Sequence, residues 1–494
     1  MKQFLVKREK LLLVLFLLFF AILYSYISIA KHDRFETFGW DLAFQDQLIW
    51  KWSHFQIAFM SMKDNINSLG DHFTLTWLLL VPLYWIRPDP TTLLAAQAFV
   101  AVFAGFPLYF FAKKVIKSAP LALSITLLYL LFVSLQHGIF NDVHSTVFTT
   151  IFLASAYYFL ETRRWPAYLL SIIGLTLTKE EFGLLAAAIG IVILIKKRAL
   201  WPGLISIVYG LAIFFFLTVF LMPRLSGTPK FVHSEFGRLG RSVPEVVQTL
   251  IHRPDIIPNT LVDDPLKKDT LFKYFAASGF LPLLSPIDLI PIAQQINIRF
   301  LDNYHTVRWR ADNHYSAPTV VLLIISLTYG LANLIRLLQK SKLKLNYHYI
   351  LAALIFLLAI GQDLVFHGPV NSIFKPQFYQ RQPWMADNQQ IISLIPKEGS
   401  VTTNNDLAPH FSERTNLYFL PDVKGADYIA VDLLDGPNKY APTDKENVVA
   451  LIEQVKKDPD YVLVKQSGSA YLFKRVSSKS PTNLYDPFYR PQPL

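Results

Sequence analysis

No cysteine occurs among the 494 residues. That absence excludes a disulfide framework, a thiolate nucleophile and a cysteine-ligated metal centre. Charge is scarce as well. Asp, Glu, Lys and Arg make up 17% of the chain, against about a quarter in a soluble globular protein. Apolar residues fill the difference, at 52% of the sequence, and they gather in long runs. The first run, Leu11 to Ala30, carries no charge, and about 20 such residues cross a bilayer as one helix. Lys2, Lys7, Arg8 and Lys10 before it, and Ser28-Ile29-Ala30 at its end, resemble a signal peptide. The apolar stretch is longer than a signal core and many more runs follow, so an uncleaved anchor is expected. The net charge of +11 requires no nucleic-acid partner. Much of the Lys and Arg lies in short clusters between apolar runs, where it sets topology.

Cytoplasmic loops collect Lys and Arg, and the basic N-terminus places the start of the chain in the cytoplasm. Residues 31–72 then lie outside. Thr92 to Ala112 runs inward to Lys113, Lys114 and Lys117. Leu121 to Gln136 runs out to a loop, 137–146, holding Asp142 and His144. Val147 to Leu160 returns to Arg163 and Arg164, and Tyr168 to Thr178 goes out to Lys179, Glu180 and Glu181. Phe182 to Ile195 returns to Lys196, Lys197 and Arg198, and Trp201 to Met222 exits. Basic clusters therefore occupy every second loop. Beyond a polar external segment, 223–270, Leu271 to Ile298 reads as a hairpin broken by Asp288. Val320 to Leu338 then leads to Arg336, Lys340, Lys342 and Lys344, and Tyr349 to Phe366 goes out. Phe73 to Ile86 is short and interrupted by proline, and reads as a juxtamembrane or partly inserted helix.

The expected architecture is an all-α polytopic membrane domain over residues 1–370, with about ten or eleven transmembrane helices. A small α/β domain outside the cytoplasm follows over 371–476, and a Pro-rich tail over 477–494. In the α/β domain Val401 to Thr403, Tyr428 to Leu433, Tyr461 to Lys465 and Ala470 to Phe473 read as strands. Asn388 to Ile395 and Lys445 to Lys457 have helical periodicity.

Acidic groups and histidines mark the external loops: Asp41 and Asp46, Asp71 and His72, Asp142 and His144, Glu180 and Glu181. A carboxylate partly removed from water has a raised pKa and suits a general base. Asp71, His72, Asp142 and His144 could also hold a divalent cation.

The stretch Phe38-Gly39-Trp40-Asp41-Leu42 through Trp50 and the pieces Gly70-Asp71-His72-Phe73, Pro82-Leu83-Tyr84, Asp142-Val143-His144, Lys179-Glu180-Glu181, His314-Tyr315-Ser316-Ala317 and Ala408-Pro409-His410-Phe411-Ser412 carry a resemblance. Together they resemble a prokaryotic membrane-protein family, domain of unknown function 2079. That family is similar in architecture to GT-C glycosyltransferases, multispan enzymes that use lipid-phosphate sugar donors. The resemblance implies a protein of the prokaryotic inner membrane that moves a sugar from a polyprenyl-phosphate donor to an envelope acceptor on the outer face. It gives Asp41 the position of the catalytic base and Asp142 that of the second acidic motif. Many GT-C enzymes pair two acidic residues at the first site, whereas Leu42 follows Asp41 here. The departing lipid phosphate needs cations, and Arg308 and Arg310 are the candidates. Asp46, Asp71, His72, His144, Glu180 and Glu181 would bind substrate. A lipid or solute transporter, or a non-catalytic envelope protein, is the alternative. A transporter tends to place its ionisable groups near the midplane.

Overall fold

The computed structural model describes residues 2–476 apart from 58, 304, 341–345 and 424. The tail expected at 477–494, and Lys342 and Lys344 of the last basic loop, lie outside the described residues. The chain folds as two compact units. One takes the residues up to Ser25, Leu69–Thr76 and Ala95–Ser372, and the other takes Tyr26–Ser68, Trp77–Leu94 and the residues from Ile373 onward.

The first unit is helical. Among the described residues, five helices are long and apolar enough to cross a membrane: Arg8–His32, Pro90–Ile116, Leu200–Ser226, His314–Leu338 and Tyr347–Val365. The helices Ala119–Leu131 and Val133–Phe140, bent by 46° at Phe132, make a sixth if counted as one span. Trp165–Thr176 and Phe182–Ile195 are apolar but shorter, as is Leu75–Ile86, which from Trp77 onward belongs to the second unit. The difference from a count of ten or eleven lies in such short helices, which fall below the ~20 residues of a full span. The segment read as a broken hairpin is a helix, Pro265–Ala277, two 3₁₀ turns and a second helix, Leu289–Phe300, with Asp288 at the break.

Backbone freed by a bend inside a membrane needs partners. At Phe132 two glutamines supply them. Gln362 of the helix Tyr347–Val365 accepts from Val133 N at 3.2 Å and donates to Leu131 O at 2.5 Å, and Gln136 donates to Leu131 O at 2.9 Å. Elsewhere small residues permit close helix packing. A Cβ on Gly190 would lie 2.6 Å from the Gly203 carbonyl oxygen, and one on Gly183 would lie 2.5 Å from that of Gly210. Helices Phe182–Ile195 and Leu200–Phe215 are therefore in backbone contact.

The second unit is built on a five-stranded sheet in the order Leu417–Phe419, Val401–Thr403, Tyr428–Asp432, Ala470–Arg475, Tyr461–Ser467. The first three strands run parallel, with Val401 opposite both Leu417 and Tyr428, and the last two form an antiparallel hairpin. Successive side chains point to opposite faces. Ala430 and Leu472 pack on one face with Met385 and Ile391 of the helix Pro383–Ser393. Ile429, Val431 and Phe473 pack on the other with Val448, Leu451 and Ile452 of the helix Lys445–Val455. Four of these strands and both helices match the sequence expectation, and the short strand Leu417–Phe419 is additional. Phe35, Ala43, Phe44, Met60 and Met62 complete the first face. The unit therefore draws its core from both ends of the chain, beyond the boundary expected at 371.

Candidate functional site

In the helical unit the loop Lys179-Glu180-Glu181 opens the helix Phe182–Ile195 and gathers three other segments around it. Glu180 is buried. Its Oε1 lies 3.1 Å from His72 Nδ1, and its Oε2 accepts the Phe73 backbone N–H at 3.1 Å. Burial by itself would raise this carboxyl, but His72 and Lys179 hold it down at about 2, so Glu180 is an anion in ordinary conditions. On the other side of His72, the His233 ring stacks at 4.3 Å, and His233 Nε2 lies 3.1 Å from Asp71 Oδ1. One ligand atom from each of Asp71, His72 and His233 lies within 4.8 Å of the others. Two imidazoles and a carboxylate are a donor set for zinc or another transition metal. Glu180 would then orient the His72 ring from behind. The sequence suggested Asp71 and His72 with Asp142 and His144. The fold instead brings Asp71 and His72 to His233, which lies in the polar segment 223–270 and escaped notice there.

Beside this group stand two cations, Lys179, which is buried, and Arg308, which keeps 12% of its side chain exposed. Arg308 reaches Asp302 at 2.9 Å through Nη1 and Glu181 at 3.2 Å through Nη2. Lys179 Nζ is 3.7 Å from Glu181, and both cations lie 5.3 Å from the Tyr315 ring. Burial opposes their charge, yet Glu181 keeps Lys179 and Arg308 above their ordinary values. Asp302 is held at about 2: burial is outweighed by His305 and Arg308. The loop carrying Arg308 is fixed by Arg299, which donates to the carbonyls of Arg308 at 2.7 Å and Arg310 at 2.8 Å and to the Tyr274 hydroxyl at 2.6 Å. Five donors in a rigid fork suit that task. Arg310 does not join the cluster. Its side chain is exposed and pairs with Asp312 at 2.7 Å.

Asp142 and His144 form a neighbouring turn. Asp142 is buried and adopts φ 51°, a left-handed conformation that Asp tolerates better than most residues. Gln97, fully buried in the helix Pro90–Ile116, clamps this turn. It donates to Ile139 O at 2.9 Å and Asp142 O at 2.5 Å, and accepts the His144 N–H at 2.7 Å. The His144 ring stacks on His314 with centroids 3.3 Å apart. Burial, with Lys179 nearby, pushes His144 down to about 3, so it is a neutral imidazole.

Asp41 and Asp46 belong to the other unit. Asp41 is half-buried in the π-helical turn Gly39–Ala43 that precedes the helix Phe44–Ser53. Asp46 is fully buried. It accepts hydrogen bonds from the Tyr84 hydroxyl and, at 2.7 Å, from Ser412, and burial pushes it up to about 7. It thus ties the Pro82-Leu83-Tyr84 piece to Ser412 inside that unit.

The family described as predicted membrane protein DUF2079 matches residues 31–468. Two crystal structures of ArnT from Cupriavidus metallidurans are similar in fold. The apo state aligns at 13% identity with a TM-score of 0.54, and the state bound to undecaprenyl phosphate at 12% with 0.52. Each alignment covers 94% of this chain and 98% of ArnT. No curated protein matches the sequence. With a helical membrane unit and a small C-terminal sheet on the ArnT-like GT-C fold, the chain belongs to the DUF2079 family of predicted membrane proteins.

Proposed function

We propose that this protein is a GT-C-like glycosyltransferase of the prokaryotic cell membrane, acting on its outer face on a polyprenyl-phosphate-linked sugar. The observation that carries the reading is the pair of cations Lys179 and Arg308, largely shielded from water and oriented by Glu181 and Asp302 at the end of membrane helices. Cations fixed in place before substrate arrives stabilise charge that develops in a transition state without reorganisation. The ArnT structure bound to undecaprenyl phosphate supports a lipid phosphate as the anion.

In the proposed reaction an acceptor hydroxyl attacks the anomeric carbon as the bond from that carbon to the phosphate oxygen breaks. The bonding electrons leave with the phosphate, where Arg308 and Lys179 would receive the charge. The hydroxyl proton passes to a carboxylate. Asp41 carries that role on the family resemblance alone, and Asp142 carries that of the second acidic group. Asp71, His72 and His233 would hold a divalent cation, which would add positive charge near the phosphate. The charged groups sit at helix ends, before Phe182–Ile195 and His314–Leu338, rather than mid-span as a transporter would favour.

Purified protein offered a panel of polyprenyl-phosphate sugars, with and without divalent metal, tests the reading. Release of the polyprenyl phosphate with at least one donor is expected. Folded protein that neither binds nor turns over any donor contradicts it.

A further inference from the structure

The helix Phe182–Ile195 has a second ionic cluster at its other end. Lys196 pairs with Asp288 at the break of the 265–300 segment, and Arg198 pairs with Glu161, which also accepts from the Tyr329 hydroxyl. Lys196 Nζ and Arg198 Cζ lie 4.0 and 5.1 Å from the Tyr329 ring. Asn333 donates to Leu284 O at 2.8 Å and accepts from Arg336 Nη2 at 2.9 Å. Between these side chains opens a cavity of about 340 Å³, lined by Lys196, Arg198, Ser285, Tyr329, Asn333 and Arg336. Three cations here face two carboxylates, Asp288 and Glu161, so the cavity carries excess positive charge. Arg336 spends its hydrogen bonds on its own helix, on Asn333 and the Ala332 carbonyl. Leu284 and Leu337, next in sequence to the lining residues Ser285 and Arg336, expose 42% and 61% of their surface, and Leu283, one position further, exposes 48%.

We propose that this cavity binds the phosphate headgroup of an anionic phospholipid, with the acyl chains lying along the exposed leucines. A phosphate would answer the unbalanced cation charge, and the guanidinium of Arg336 offers it paired donors. Basic pockets between membrane helices on the side of the Lys- and Arg-rich loops suit such headgroups. The site is separate from the Lys179–Arg308 cluster. One turn of an α-helix rises about 5.4 Å, and the 14-residue helix Phe182–Ile195 stands between the two.

The test uses delipidated full-length protein in detergent, titrated with phosphatidylglycerol, phosphatidylcholine or inorganic phosphate and followed by thermal denaturation. Phosphatidylglycerol should raise Tm well beyond the other two. Arg336→Gln should weaken its apparent affinity about fivefold, the effect of one basic residue near a lipid headgroup, while Lys268→Gln, an equal charge change on another segment, should leave it unchanged. Arg336 is exposed, so its replacement leaves packing intact. An equal shift with phosphatidylcholine, full recovery of the shift with inorganic phosphate, or an unchanged affinity in Arg336→Gln would overturn the proposal.

Discussion

The His72 ring nitrogen and the Glu180 carboxylate meet at 3.1 Å, across 108 positions of sequence. This contact closes the polar cluster around the loop 179–181, because Glu180 also holds the Phe73 backbone. Its carboxyl sits at about 2, below the ordinary 4.5. The stability it contributes is therefore complete above about pH 4.5 and is lost as the pH falls toward 2. Glu180→Gln should cost about 1–3 kcal/mol at pH 7. Thermal denaturation of both proteins between pH 7 and pH 3 should show the gap narrowing below pH 4.5, and a gap that does not change with pH would rule out the ionic account.

Arg308 works through its fork, with one nitrogen on Asp302 and another on Glu181. Lysine keeps the charge but cannot span both partners. Arg308→Lys should fold, yet lose about 10²–10³ in turnover with a polyprenyl-phosphate sugar, as the removal of one preorganised donor does. Arg310→Lys, at an exposed surface pair, should change turnover little. Equal losses in the two variants would refute the assignment.

Asp71, His72 and His233 predict a divalent-metal site. Protein dialysed against zinc and then desalted should retain about one equivalent by elemental analysis, and His233→Ala should lose it. Retention undiminished in His233→Ala would show that the metal binds elsewhere.

At the bend beside Phe132, Gln362 satisfies Val133 N and Leu131 O. Gln362→Leu keeps the bulk but removes both hydrogen bonds, and should lower stability by about 1–3 kcal/mol. A variant as stable as the parent in detergent unfolding would mean that water replaces the glutamine.

Much of this fold was legible in the sequence, and the reasons differ by element. The long spans announce themselves because 20 apolar residues have few other fates, and their observed ends fall within a few residues of the expected ones. The bend at Phe132 was not legible. Neither Pro nor Gly marks it, and of the two glutamines that stabilise it Gln362 lies more than 200 positions away. The strand Leu417–Phe419 is three residues long and shows no alternation to read. The core shared by Phe44 with Val401 and Phe419 arises from contacts across more than 300 positions, which composition cannot report. In the site, Lys179-Glu180-Glu181 and Asp71-His72 stood out as local charge in apolar surroundings. His233, Gln97, Asp302 and Arg299 did not, because each owes its role to a distant partner.

Affinity for polyprenyl phosphate tests the central claim most directly. Wild-type protein, Arg308→Gln and Lys179→Gln would be titrated with it in detergent, with folding checked by circular dichroism. Saturable binding by the wild type, weakened at least tenfold in both variants, is the predicted result. No saturable binding, or equal affinity in all three folded proteins, would contradict the account.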